Sequence, residues 1–232
     1  MTIVKKFELI DDQFIEELGV KLFRIRALVS FARVCAGDIG GYVEKEENLS
    51  QADKAWVFGN ARVYGNAQLF DNARVFGNAQ VFDDVRVSNN AQVFGNAQVF
   101  GNANLYDSVR VFSNAQVFGS ANMFDDVHVS GNAQVFGSAW VIGNARVCGS
   151  AQMFDNVHAS GNAQVFGSAQ VFDKVQVSGD AQVFGSAQIF DKVQVSGNAQ
   201  VFGSTRVCGS AQVSGSARVF EDVYASSNAR MK

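Results

Sequence analysis

Residues 160–177, SGNAQVFGSAQVFDKVQV, are followed at 178–195 by SGDAQVFGSAQIFDKVQV, and sixteen of the eighteen positions are identical. Inside that duplication lies a shorter beat. From Val57 an aliphatic or small residue returns every six positions, through Val63, Leu69, Val75, Val81 and Val87 to Val219, Ala225 and Met231, with no insertion or deletion. Two positions before each stands another apolar residue, such as Ala61, Ala67, Ala73 or Val85, and between them a polar one such as Arg62, Gln68 or Gln80. The stretch Ala-Gln-Val-Phe therefore alternates in-out-in-out, the period of a short strand. Gly-Asn or Gly-Ser follows and supplies a corner, because glycine enters positive φ without a Cβ clash and Asn tolerates it better than most residues. Strands and corners alternating at a fixed short period make a solenoid. Three hexads close one triangular coil of eighteen residues, which explains why the longer duplication falls at eighteen.

Units such as VFGNAR, VFGNAQ and VFGSAQ recur throughout residues 57–231. This stretch resembles the hexapeptide-repeat family, whose aliphatic-x-x-x-small-x units fold as a left-handed parallel β-helix. The resemblance implies an all-β fold: a single-stranded triangular solenoid with a small N-terminal α+β cap. The segment LFRIRALVSFARVCAGDIGGYVEKEENLSQADKAWVFGNA, residues 22–61, is similar to the lead-in of phage- and prophage-associated hexapeptide proteins, some of which carry an acetyltransferase label. Parallel strands rise about 4.8 Å per layer, so nearly ten coils predict a prism roughly 45–50 Å long. Its interior holds Val and Ala ladders, too narrow for a ligand. Val157, Val175 and Val193 recur at eighteen and are read as core packing.

Residues 1–50 depart from the beat and are read as a cap, leaving 51–232 as the β-helix. DDQFIEELG (11–19) suggests a short amphipathic helix capped by Asp11 or Asp12, with Gly19 just past its end, and KLFRIRALV (21–29) alternates as a strand. Val43 and Leu49 sit six apart, but eight residues separate Leu49 from Val57, so a two-residue slip precedes the regular run. VYASSNARMK stays in repeat register to the last residue, and an uncovered coil would leave strand edges for end-to-end pairing of two chains.

Positions eighteen apart stack, so each residue following an aliphatic belongs to an outward track. One track reads Tyr64, Phe82, Phe100, Phe118, Phe136, Phe154, Phe172 and Phe190, then Cys208 and Ser226. It shares its face with a glutamine ladder, Gln80, Gln98, Gln116, Gln134, Gln152, Gln170 and Gln188. A second reads Phe58, Phe76, Phe94 and Phe112, then Ser130 and Cys148, then Phe166, Phe184, Phe202 and Phe220. The third is mixed, with Phe70, Ser88, Tyr106, Phe124 and Ile142 before a run of serines. Such ladders add stability by themselves, since stacked rings cover one another and Gln amides bond along the axis. Each Phe buries ~150–250 Å², however, and a row of eight leaves an apolar strip of several hundred Å², at or above the ~300–600 Å² usual for a monomer's largest patch. With charged residues only 18% of the chain, the Tyr64–Phe190 track is the candidate interface of a homo-oligomer. An unknown protein or glycan partner stays open as the occupant.

Hexapeptide acyltransferases supply the alternative enzyme reading. That resemblance implies a trimer, acyl-CoA between neighbouring prisms and a histidine base near a projecting loop. Here no loop interrupts 57–231, and the two histidines, His128 and His158, lie thirty residues apart at outward positions on different faces. The sequence designates no catalytic residue, metal ligand or cofactor. Cysteines 35, 148 and 208 lack C-x-x-C spacing and read as reduced thiols in a cytoplasmic protein. AGDIGGY (36–42) lacks the Lys-Ser/Thr of a phosphate-binding loop and reads as a turn. The net charge of −3 and the sparse arginines (Arg74, Arg110, Arg146 and Arg218 on one track, Arg62 and Arg206 on another) give no nucleic-acid stripe. No run of 18 apolar residues predicts a membrane span, and the N-terminus lacks the apolar core of a signal peptide. Thr2 and Thr205 are the only threonines, which removes the arrays of ice-binding faces. The reading is a non-catalytic structural or interaction protein, with acyltransferase-like and carbohydrate- or protein-binding alternatives.

Overall fold

The computed structural model describes residues 5–220, 224–225 and 229–232. Two-residue strands, the rungs, repeat from Trp56–Val57 to Arg230–Met231 and stack in parallel at a spacing of eighteen residues. They form three sheets of thirteen, ten and ten strands among the described residues. The glutamine face runs from Arg62–Val63 to Tyr224–Ala225, the arginine face from Trp56–Val57 to Arg218–Val219, and the mixed face from Gln68–Leu69 to Arg230–Met231. This is a parallel β-solenoid of about ten turns.

Backbone amides of one coil donate along the axis to carbonyls of the next, as in Phe100 N to Val117 O (3.0 Å) and Asn102 N to Gly119 O (2.7 Å). Corners as well as rungs are thereby satisfied. One residue per corner holds positive φ, most often glycine and otherwise Asp, Asn or Ser, for example Gly119 at +69° and Asp83 at +61°. The inward Val and Ala ladders are closed to solvent from Val57 to Val213 and open slightly from Ala217 onward, and Val157, Val175 and Val193 lie in that core as expected. Burying each Val side chain contributes ~1.5–3 kcal/mol, which drives the winding. Thr205 replaces an alanine of the core, and its hydroxyl donates to Phe202 O at 2.6 Å.

The start of the chain differs from the sequence expectation. Residues 11–17 are not helical. They belong to strand β1 (Phe7–Glu17), which turns at Leu18–Gly19 into β2 (Val20–Ala27) and pairs with it antiparallel. β2 pairs in turn with β3 (Ile39–Val43), and the hairpin thus extends the glutamine face beyond the first coil. The two-residue slip is visible as register. Val43 pairs with Val63 and Leu49 bridges Leu69, twenty residues apart, whereas Val57 pairs with Val75 at eighteen. Asn48, fully buried in a 3-10 turn (Glu46–Asn48), holds this wider coil by donating to Gly65 O (3.1 Å) and Ala67 O (2.9 Å).

Candidate functional site: the glutamine face

From Gln80 to Phe190 on this face the outward residue before each inward aliphatic is Gln and the one after it is Phe, so each of these coils adds one amide and one ring. The Nε2 of each Gln donates to the Oε1 of the Gln one coil earlier. Distances are 2.8–3.1 Å from Gln98 to Gln188, and the Gln80–Gln98 step is longer at 3.5 Å. Beside them Tyr64, Phe82, Phe100, Phe118, Phe136, Phe154, Phe172 and Phe190 form one uninterrupted stack, with centroids 4.6–5.1 Å apart and ring planes within 1–5° of parallel. Coil spacing sets that distance. Each ring face is therefore covered by its neighbours, and each ring from Phe82 to Phe190 is partly buried.

What remains outward is a line of ring edges. Sugars and organic cations engage ring faces, and the stack withholds them. At the far end the Arg206 guanidinium lies over Phe190, 5.6 Å from its centroid. The near end is closed by the hairpin. Glu17, at the end of β1, accepts from Arg62, and Tyr64 beside it is only 7% exposed. Burial, with the Glu17 and Asp83 carboxylates adding to it, pushes the Tyr64 phenol up to about 12. The structure thus places all eight named aromatics on one line but leaves seven of them, Phe82 to Phe190, on the open strip. Cys208 follows in the track, buried, with its thiol 3.4 Å from the Tyr224 hydroxyl; Ser226 lies outside the described residues.

The other faces carry shorter stacks. On the arginine face Phe76, Phe94 and Phe112 stack at 4.7–4.9 Å, and Phe166, Phe184, Phe202 and Phe220 at 4.8–5.3 Å. On the mixed face Tyr106, Phe124, Trp140 and His158 form a third row. The two histidines sit on different sheets, as their spacing requires. His128 is pushed below the ordinary imidazole value by burial and then by Arg110 and Arg146. Among the described residues no group of three or more His, Cys, Asp and Glu is arranged to hold a metal. An open groove of about 590 Å³ runs along one corner past Asp155, Asp173, Asp191, Lys174 and Lys192. Two of its carboxylates already accept corner amides, Asp173 from Asp191 N at 3.1 Å and Asp191 from Gly209 N at 2.8 Å. No described helix is long and apolar enough to cross a membrane.

The class follows from the geometry: a β-solenoid built of hexapeptide-like repeats, three to a coil. In agreement, residues 67–81, 79–95 and 193–209 match the family model described as the YdcK beta solenoid repeat. No curated protein matches the chain.

Proposed function

We propose that this chain is a non-catalytic structural or interaction protein, a rigid cytoplasmic rod that self-associates through the Phe82–Phe190 strip. One observation carries the reading. Seven ring edges, spaced by the coil itself, form a straight apolar line beside a glutamine ladder whose amides are already engaged with one another. Any partner laid along this line must match a period of about 4.8 Å over six steps. A second copy of the same strip matches it at every rung, and a non-repetitive partner does not. Covering the strip removes apolar surface from water at ~25 cal/mol per Å² without breaking the ladder bonds.

The test is mass in solution by light scattering over a hundredfold dilution, for the natural chain and for Phe118→Ser with Phe136→Ser. The expected result is a stable multiple of 25.0 kDa for the first. The double variant should give a folded monomer, since both side chains point away from the Val/Ala core. A natural chain that is monomeric at all dilutions would overturn the proposal.

A further inference from the structure

The arginine face contains a break that self-association does not use. Its outward aromatic track runs from Phe58 to Phe220, interrupted only by Ser130 and Cys148. The neighbouring outward track changes in the same coils. There Arg110, His128 and Arg146 occupy three consecutive rungs, Arg110 pairing with His128 and His128 with Arg146. Two rings are missing over a length of about three rungs, roughly 14 Å. The recess is walled at one end by Phe112 and at the other by Phe166. His128 meets Phe112 in a T-shaped contact, with centroids 6.4 Å apart, which places its ring beside the Phe112 end of the break.

Three cationic or potentially cationic groups are thus stacked at strand spacing, where like charges destabilise one another. The ion pairs among the described residues engage Lys5, Lys6, Arg26 and Arg62 and leave Arg110 and Arg146 out, while Asp126 acts on His128. His128 is held below the ordinary imidazole value first by burial and then by both arginines, against the opposing pull of Asp126. Elsewhere on this track the repeat places neutral Gln at Gln92, Gln164, Gln182 and Gln200, and arginine only singly, at Arg74 and Arg218. Donors are thus concentrated at the break: the Arg110 guanidinium in the coil of Phe112, then the His128 imidazole, the Ser130 hydroxyl and the Arg146 guanidinium in the two coils without rings.

We propose that this break is a binding site for a phosphate group, held by Arg110 and Arg146 with His128 protonated between them and Ser130 donating from the floor of the recess. A phosphate fits better than a single carboxylate because its several oxygens can accept from donors on three consecutive rungs. Binding converts a repulsive row into an attractive one, and it takes up a proton at His128 when the pH is above that residue's own pKa.

The chain has two histidines, and His158, on another sheet, serves as an internal control. Their ring resonances would be followed by NMR through a pH titration of the full-length protein at constant ionic strength. One arm uses no added anion, a second inorganic phosphate and a third phenyl phosphate. The expected result is a saturable rise of the His128 pKa by half a unit or more, with His158 unmoved, and loss of that rise in Arg110→Gln with Arg146→Gln. Both arginines are exposed, so the double variant is expected to keep the fold, checked by an unchanged His158 titration. Tighter binding of phenyl phosphate points to a phosphate ester seated against the flanking rings, and equal binding to free phosphate; either supports the site. An unmoved His128, histidines that shift together, or a rise that survives the double variant overturns it.

Discussion

Arg62 Nη1 donates to Glu17 Oε2 at 2.5 Å, tying the tip of the β1–β2 hairpin to the first rung of the glutamine face. The pair is partly shielded, with side chains 32% and 24% exposed, and beside it Tyr64 is closed off from water. Glu17→Gln should therefore cost only about 0.5–1 kcal/mol at neutral pH while lowering the Tyr64 pKa from about 12 toward 10. A phenol whose pKa is raised on folding contributes stability that is complete below pH 10 and lost between about 10 and 12. The variant should lose less in that window. Absorbance at 295 nm against pH, together with urea unfolding at pH 9 and 11, checks both statements.

The solenoid could be read from the chain because its spacing is rigid: one residue of slip would turn every Val outward, and none occurs after Val57. In the hairpin, β2 was legible as the alternation of residues 21–29, but β1 was not. Ile10, Phe14 and Leu18 recur at four-residue intervals, which is a helical spacing, but Asp11–Gln13 form an irregularity that carries β1 from the Ile10–Arg24 pair to the Phe14–Phe23 pair. The turn adds to the disguise, since Leu18 takes φ +50° where Asn is usual, at 89% exposure. In the candidate site, the eight-ring line was legible as a period of eighteen. That Tyr64 is covered was not, because its cover comes from Glu17, forty-five residues before Arg62 and outside any repeat.

Lys6 is buried, 3% exposed, with Nζ donating to Ala55 O at 2.9 Å and 3.6 Å from Asp53 Oδ1. Burial outweighs Asp53 and lowers its pKa to about 8. The unfolded chain therefore holds this proton more tightly than the folded one, and stability should rise as pH increases from about 8 to 10.5, by on the order of 3 kcal/mol. Lys6→Met should flatten that rise, because it removes the titrating group while keeping packing against Phe7 and Phe31. Thermal melts of both proteins at pH 7, 9 and 10.5 measure the slope. A natural chain whose stability is flat over this range would refute the account.

Gln134 sits in the middle of its ladder, donating to Gln116 at 2.8 Å and accepting from Gln152 at 2.9 Å. Gln134→Ala breaks both bonds but leaves the freed amides at a face that water reaches. The expected cost is about 1–2 kcal/mol, read as a lower urea midpoint at unchanged slope. Gln188 is the last member of the ladder and donates one bond without receiving one from Arg206. Gln188→Ala should therefore cost about half as much, and equal effects would mean that the ladder does not stabilise the rod.

Corners give the sharpest test of coil-to-coil contact. A Cβ on Gly119 would lie 2.9 Å from both N and O of Gly137, backbone atoms that cannot swing aside, whereas a Cβ on Gly59 meets nothing closer than 3.6 Å. Both residues hold positive φ, so alanine at either pays about 1–2 kcal/mol for conformation, and only Gly119→Ala adds the clash. Gly119→Ala should be at least twice as destabilising as Gly59→Ala. Aspartate fills other corners of the same line, where Asp83 and Asp191 accept the amides of Gly101 and Gly209 at 2.9 and 2.8 Å. Gly119→Asp can make the equivalent bond to Gly137 N, so the larger residue should cost less than alanine at the same position. Chemical denaturation of the three variants decides it, and a greater loss for aspartate than for alanine would show that the carboxylate–amide bond does not tie one coil to the next.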